Sequence, residues 1–348
     1  MGKVQSTHAP ERLTLLDGLR TFAALGVMLY HAPNVFGFPE VVGRMYLLVD
    51  LFFMLSGFVL TLSAEPRMRA GLGPLGFVRL RVIRLWPLTA LGAVMGAGAF
   101  LIAESPGHVL NLLPLSLTLL PLLSSSVAIF PLNSPQWSIF WEIVANFCHA
   151  ALLWQLSERM LLAVAAISGA CLLAAIEHSG WAGFGPNGPD WWLAFFRIAW
   201  AYSMGAWMAR RWSANRPAPQ VSWLTALLSP VAALAFLPFV PLTIRQGDAL
   251  YLTVALPLFF WLAATAVPPK SAERSLSWLG SLSFPLYAVH FPIILGIRFA
   301  TDSRDYELHS VLVSVALAIV IARVGPGTRR GWKRLMNTGK PAAQVSAA

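Results

Sequence analysis

The chain has 348 residues, of which 57% are hydrophobic and 11% charged, and carries a net charge of +10. An ordinary soluble domain carries roughly a quarter charged residues, so most of this chain does not face water. The apolar residues fall in blocks about 20 long. That is the length a helix rising ~1.5 Å per residue needs to cross a hydrocarbon core of ~30 Å.

Ten such blocks run at 13–32, 45–63, 84–103, 136–155, 160–176, 192–209, 221–240, 248–267, 280–299 and 308–324. The expected fold class is all-α, a polytopic membrane protein of ten transmembrane helices with both termini cytoplasmic. A further apolar stretch, 109–131, is broken by Pro114, Pro121, Pro131 and the run Ser124-Ser125-Ser126. It reads as an interfacial or re-entrant segment.

Basic residues collect in cytoplasmic loops, whereas acidic residues carry little topological weight. With the N-terminus inside, twenty of the twenty-five Lys and Arg lie on the inner side, leaving Arg44, Arg245, Arg298 and Arg304 outside and Arg197 ambiguous. An extra span at 109–131 would put the basic tail outside, so that topology is rejected. The net charge is thereby accounted for by orientation and anionic lipid, with no nucleic-acid partner. Cys148 and Cys171 lie within apolar blocks and indicate neither a disulfide framework nor a metal site. The expected organisation is one membrane domain, 1–325, followed by a basic, disordered cytoplasmic tail, 326–348.

Ionisable residues within spans are costly and usually face a bundle interior or a wet cavity, so they are the candidates for chemistry. In the first block, Arg20 and His31 are eleven residues apart, which places them ~20° apart around a helix and ~16 Å apart along it. His31 reads either as a satisfied structural histidine or as a catalytic group. Asp50 lies about five residues below the outer surface, and Glu142 lies at a similar depth with Asn146 one turn further on the same face. His31, Asp50 and Glu142 are therefore expected to converge in the outer half of the bundle. There a carboxylate would orient the imidazole, or serve as a hydrogen-bonding strut. Arg79, Arg81 and Arg84 precede Pro87 at a cytoplasmic mouth, where they serve either as anchors or as phosphate forks. His290, in mid-membrane, either orients substrate or bonds a backbone carbonyl.

Leu16-Asp17-Gly18-Leu19-Arg20 followed by His31, Asp50 through Phe58, Arg81 with Arg84 and Pro87, Trp137-Ser138 with Glu142, and Tyr287 with His290 occur in that order. The set resembles the acyltransferase-3 family of bacterial membrane acyltransferases. The resemblance implies transfer of an acyl group, by default acetyl, from cytoplasmic acyl-CoA to a hydroxyl of a cell-envelope or secreted carbohydrate or glycolipid, in the bacterial inner membrane. It implies catalytic roles for Arg20 and His31; residues and resemblance together suggest that Asp50 or Glu142 joins His31 in catalysis by orienting the imidazole or binding the acceptor, that Arg20, Arg81 and Arg84 bind the donor, and that Trp137, Ser138, Asn146, Tyr287 and His290 contact the acceptor. No metal or prosthetic group is expected. Ile143-Val144-Ala145-Asn146-Phe147 departs from the acidic or polar residue and aromatic that often follow the family glutamate. Many relatives also carry a C-terminal hydrolase-like domain that these residues do not contain, so transfer would be completed within the membrane domain or with a partner. The competing class is a secondary transporter or flippase, but no pairing of broken helices between two halves is found.

Overall fold

A computed structural model describes residues 13–123, 128–215, 217–301 and 305–337, with side chains described to Gly325. The helices in chain order are α1 (Thr14–Tyr30), α2 (Pro39–Val42), α3 (Leu48–Arg69), α4 (Pro74–Ala103), α5 (Pro106–Thr118), α6 (Gln136–Ala151), α7 (Glu158–Ser179) and α8 (Ala194–Ala214). There follow α9 (Trp223–Phe236), α10 (Ile244–Leu250), α11 (Leu256–Thr265), α12 (Lys270–Ala300) and α13 (Tyr306–Asn337). No strand occurs among the described residues. The protein is an all-α polytopic membrane protein.

Each of the ten apolar blocks is helical over most of its length. Six helices or helix pairs are long and apolar enough to cross a bilayer unaided: 39–69, 74–103, 158–179, 244–265, 270–300 and 306–325. Local chemistry sets many of their ends. Ser157 and Ser222 accept the amides of Met160 and Thr225 at the starts of α7 and α9, and Thr243 with Gln246 closes a capping box on α10. Pro74 and Pro106 open α4 and α5, where their missing N–H costs nothing. A π-helical turn, Tyr251–Ala255, joins α10 to α11.

Within the stretch 109–131, α5 has 13 residues. At ~1.5 Å each it covers ~20 Å, too little for a span. It ends on Leu119 in the left-handed conformation, φ 55°, and the chain then returns to lie against α4. A β-carbon on Gly96 would sit 1.9 Å from the Leu132 carbonyl oxygen. The glycine face of α4 is therefore what admits this segment.

Helix α13 runs past the last apolar block into the basic segment, as far as Asn337. Residues 326–337 are rich in Arg and Lys, which are good helix formers. Residues 338–348 lie outside the described residues.

Two seams organise the bundle. In the first, α12 packs along α1, α4 and α13. In the second, α3 packs along α8, with α7 behind it. The α3–α8 backbones touch: a β-carbon on Gly57 would meet the Tyr202 carbonyl oxygen at 2.0 Å, and one on Gly205 would meet that of Met54 at 2.1 Å. Such small-residue contacts suit a lipid setting, where van der Waals packing holds helices together.

Candidate functional site

His31 is the residue immediately after α1, and His290 lies two-thirds of the way along α12. The α1–α12 packing brings His290 Nε2 to 3.3 Å from His31 Nδ1. Backbone carbonyls set both tautomers. His290 Nδ1 lies 3.0 Å from the Leu286 carbonyl oxygen, so it carries the proton and its Nε2 is an acceptor. His31 Nδ1 lies 2.8 Å from the Val27 carbonyl oxygen, so it too is protonated and shares its N–H between that oxygen and His290 Nε2. The Nε2 lone pair of His31 is left over. His290 is fully buried whereas His31 is only partly so, which makes His31 the member a substrate can reach.

Around the pair stand Tyr30 and Phe291, each edge-on to His31 with ring centroids 5.0 and 5.2 Å away. Tyr287 is edge-on to His290, and its hydroxyl is 2.7 Å from Ser138 Oγ. A grouping of Ser138, Tyr287, His290 and His31 is thus present.

The expected carboxylate partner of His31 is not. Among the described residues its hydrogen bonds go to Val27 and His290, so neither Asp50 nor Glu142 orients the imidazole. Asp50 is fully buried and bound through both oxygens to Arg197, at 3.2 Å to Nε and 2.5 Å to Nη2. The rest of the guanidinium donates to the Phe184 and Tyr46 carbonyls and lies 5.3 Å from the Trp137 ring centroid. Asp50 and Trp137 are therefore parts of a strut joining α3 and α6 to α8. Arg197 was the one basic residue the topology left ambiguous, and a cation inside a span had to have an anion nearby.

Glu142 is also paired elsewhere. Its Oε1 accepts from Arg81 at 2.7 Å and from Ser56 at 2.8 Å. Arg81, read from the sequence as lying at a cytoplasmic mouth, is thus buried and paired within the bundle. The α4 helix begins at Pro74, so Arg81 lies two turns inside, 9% exposed, and its Nε has no partner. Arg84, by contrast, is exposed. Two arginines three apart on a helix point ~60° apart, and here that angle separates interior from exterior. Arg20, partly buried on α1, interacts electrostatically with Asp17, Glu142 and Arg81. Arg20, Arg81, Ser56 and Glu142 thus form a polar layer separate from the histidine pair.

A family model described as an acyltransferase domain matches residues 14–324. The chain belongs to the acyltransferase-3 family. It is 34% identical over 189 residues to "Protein 2 in picA locus" of Rhizobium radiobacter, an alignment covering 49% of this chain and 97% of that protein. No solved structure matches.

Two networks of this acyltransferase escaped the sequence reading. Glu65 on α3 binds Arg210 of α8 at 2.8 Å, with His149 Nε2 at 3.6 Å, and Arg210 also takes the Leu153, Trp154 and Leu156 carbonyls beyond α6. Asn146 joins this network rather than the histidines, accepting from Tyr202 at 3.4 Å while Tyr202 contacts His149. At the His31 end, buried Asp248 holds Arg44, Tyr46 and the amide of Ala182. The signal for both was present, since each acid lies in or beside an apolar block and had to find a cation or donors.

Proposed function

We propose that this acyltransferase moves an acyl group, by default acetyl, from acyl-CoA to a hydroxyl of a cell-envelope carbohydrate or glycolipid at the bacterial inner membrane. The reading takes ten spans with both termini in the cytoplasm. The observation that carries it is a partly exposed His31 whose Nδ1 meets a backbone carbonyl and a second histidine, which leaves its Nε2 for a substrate, with a polar layer containing Arg20 and Arg81 further along the bundle.

The chemistry follows from that arrangement. The acceptor O–H loses its proton to His31 Nε2 as its oxygen attacks the thioester carbonyl carbon, the C–S bond breaks, and the imidazolium returns the proton to the departing sulfur. The charge on His31 during transfer is stabilised by His290 Nε2, which accepts from the same ring. Donor entry from the opposite end would carry the pantetheine arm past Arg20 and Arg81, and the unpartnered Arg81 Nε–H suits an amide carbonyl of that arm. Arg84, on the outward face of the same helix, would meet phosphate.

The test uses purified protein in lipid nanodiscs with radiolabelled acetyl-CoA and envelope glycan. Turnover lost in His31→Ala with donor binding retained supports the reading. A folded native protein that neither binds nor consumes acetyl-CoA overturns the donor assignment. Label recovered on the protein after removal of acceptor would replace direct transfer by an acyl-histidine relay.

A further inference from the structure

Proline at position 292 of α12 has no N–H, so the carbonyl of Ala288, four residues earlier, loses its helical donor. The turn left open is the one that carries His290. A buried carbonyl without a donor is costly, and something must supply one. The donor comes from outside the helix: Asn133 Nδ2, on the segment that returns against α4, lies 3.0 Å from the Ala288 oxygen and is 1% exposed.

Space for this bond is provided by Gly92 of α4. A β-carbon there would lie 2.4 Å from the Ala288 oxygen and 2.5 Å from Asn133 Nδ2. The same segment grips α12 one residue earlier, because the Pro135 carbonyl accepts from Tyr287 at 3.4 Å and from Ser138, which is itself bonded to Tyr287. Three sequence features that look unrelated, Pro292, Asn133 and Gly92, therefore meet at one carbonyl two residues from His290.

We infer that Asn133 is a positioning residue for transfer: by supplying the donor that Pro292 removes, it holds the His290 turn of α12 where His290 can accept from His31. The inference rests on the reading of His31 and His290 given above. It names no contact between Asn133 and substrate. Its consequence is that Asn133 matters because of Pro292, and should matter less when position 292 has its own N–H.

The experiment is a double-substitution cycle in nanodiscs, read by acetyl-CoA turnover and by thermal unfolding, on the native chain, Asn133→Ala, Pro292→Ala and the double variant. Misplacing a catalytic group by about 1 Å can cost ~10²-fold, so Asn133→Ala is expected to lower kcat roughly ten- to a hundredfold with donor KM changed less than about twofold. In the Pro292→Ala background the same substitution is expected to cost less than about threefold, since the new N–H takes the Ala288 carbonyl. Asn133→Asp, the same shape with no donor, is expected to be at least as harmful as the alanine variant. An unchanged kcat in Asn133→Ala, or an equal loss with and without Pro292, overturns the inference. If the native protein turns over no acetyl-CoA, the proposed function fails by itself. The coupling in unfolding temperature then still decides whether Asn133 and Pro292 act on one carbonyl, and additive shifts would overturn that too.

Discussion

Two buried polar sites of similar sequence appearance differ in how completely they are closed. At the α3–α8 seam, the Asp50–Arg197 pair is sealed, with exposures of 0% and 1%, both carboxylate oxygens bound and the guanidinium shared with two carbonyls. At the α1–α12 seam, the histidine pair leaves one nitrogen uncommitted on a partly exposed ring. A sealed ion pair has no capacity left to bind or exchange a proton with anything, so its role is to hold helices in register. An incompletely bonded imidazole is costly for stability but keeps a lone pair for a substrate. On the proposed function, the difference gives structure to one seam and chemistry to the other.

The comparison breaks most severely where the sealed pair is split. Arg197→Met leaves the Asp50 carboxylate buried without a cation, which costs about 3–5 kcal/mol, whereas replacing both partners by apolar residues is often near neutral. Thermal unfolding in nanodiscs should therefore show a large loss for Arg197→Met and recovery of most of it in Asp50→Leu/Arg197→Met. If the double variant also folds but has lost turnover, the α3–α8 seam carries chemistry and the division fails.

His31→Ala probes the opposite seam. Removing a general base costs ~10²–10⁴-fold in rate, with unfolding temperature close to native because His31 caps a helix end and is only partly buried. A variant that keeps turnover within tenfold would remove His31 from the chemistry.

This division was only half legible in the sequence. The all-α membrane class was, because block length and hydropathy are imposed by the bilayer on each helix separately. Ser138 and Tyr287, named from motifs far apart in the sequence, meet at 2.7 Å between their hydroxyls. What one helix cannot reveal is which helix its polar face meets. Depth along the membrane suggested that His31, Asp50 and Glu142 share a site, but three groups at one depth can lie on different seams. Asp50 turned toward α8 because its helix meets α8 through Gly57 and Gly205, and Glu142 turned toward Arg81 and Ser56. Pairing, rather than depth, decided each role. The short α5 and the returning segment beside it were foreseeable from prolines, but the bond from Asn133 to Ala288 was not, since it joins residues 155 apart in sequence.

An intermediate effect is expected at Glu142, which is closed less tightly than Asp50, its side chain 17% exposed. Glu142→Gln keeps an acceptor for Ser56 but deprives Arg81 of its anion, a loss of about 1.5–3 kcal/mol for a charge-assisted hydrogen bond. Because Arg81 stands on the proposed donor path, acetyl-CoA KM should rise more than kcat falls. A fall confined to kcat would place Glu142 with the histidines after all.

The smallest effect is expected at Arg84. Two readings of this residue give different outcomes, because an exposed cation that only anchors the helix contributes at most a few tenths of a kcal/mol, whereas one that meets phosphate makes charge-assisted bonds. Its separation from Arg81 removes the paired guanidinium forks that the sequence spacing suggested, and Arg84 faces outward on α4, where salt screens an exposed charge. Arg84→Ala should therefore raise acetyl-CoA KM only about two- to threefold at physiological ionic strength, and more at low salt, with kcat unchanged. A tenfold or larger rise that persists in high salt would mean that the phosphates are held in a desolvated pocket at Arg84. The donor path would then begin on the outer face of α4 rather than along the polar layer of Arg20 and Arg81.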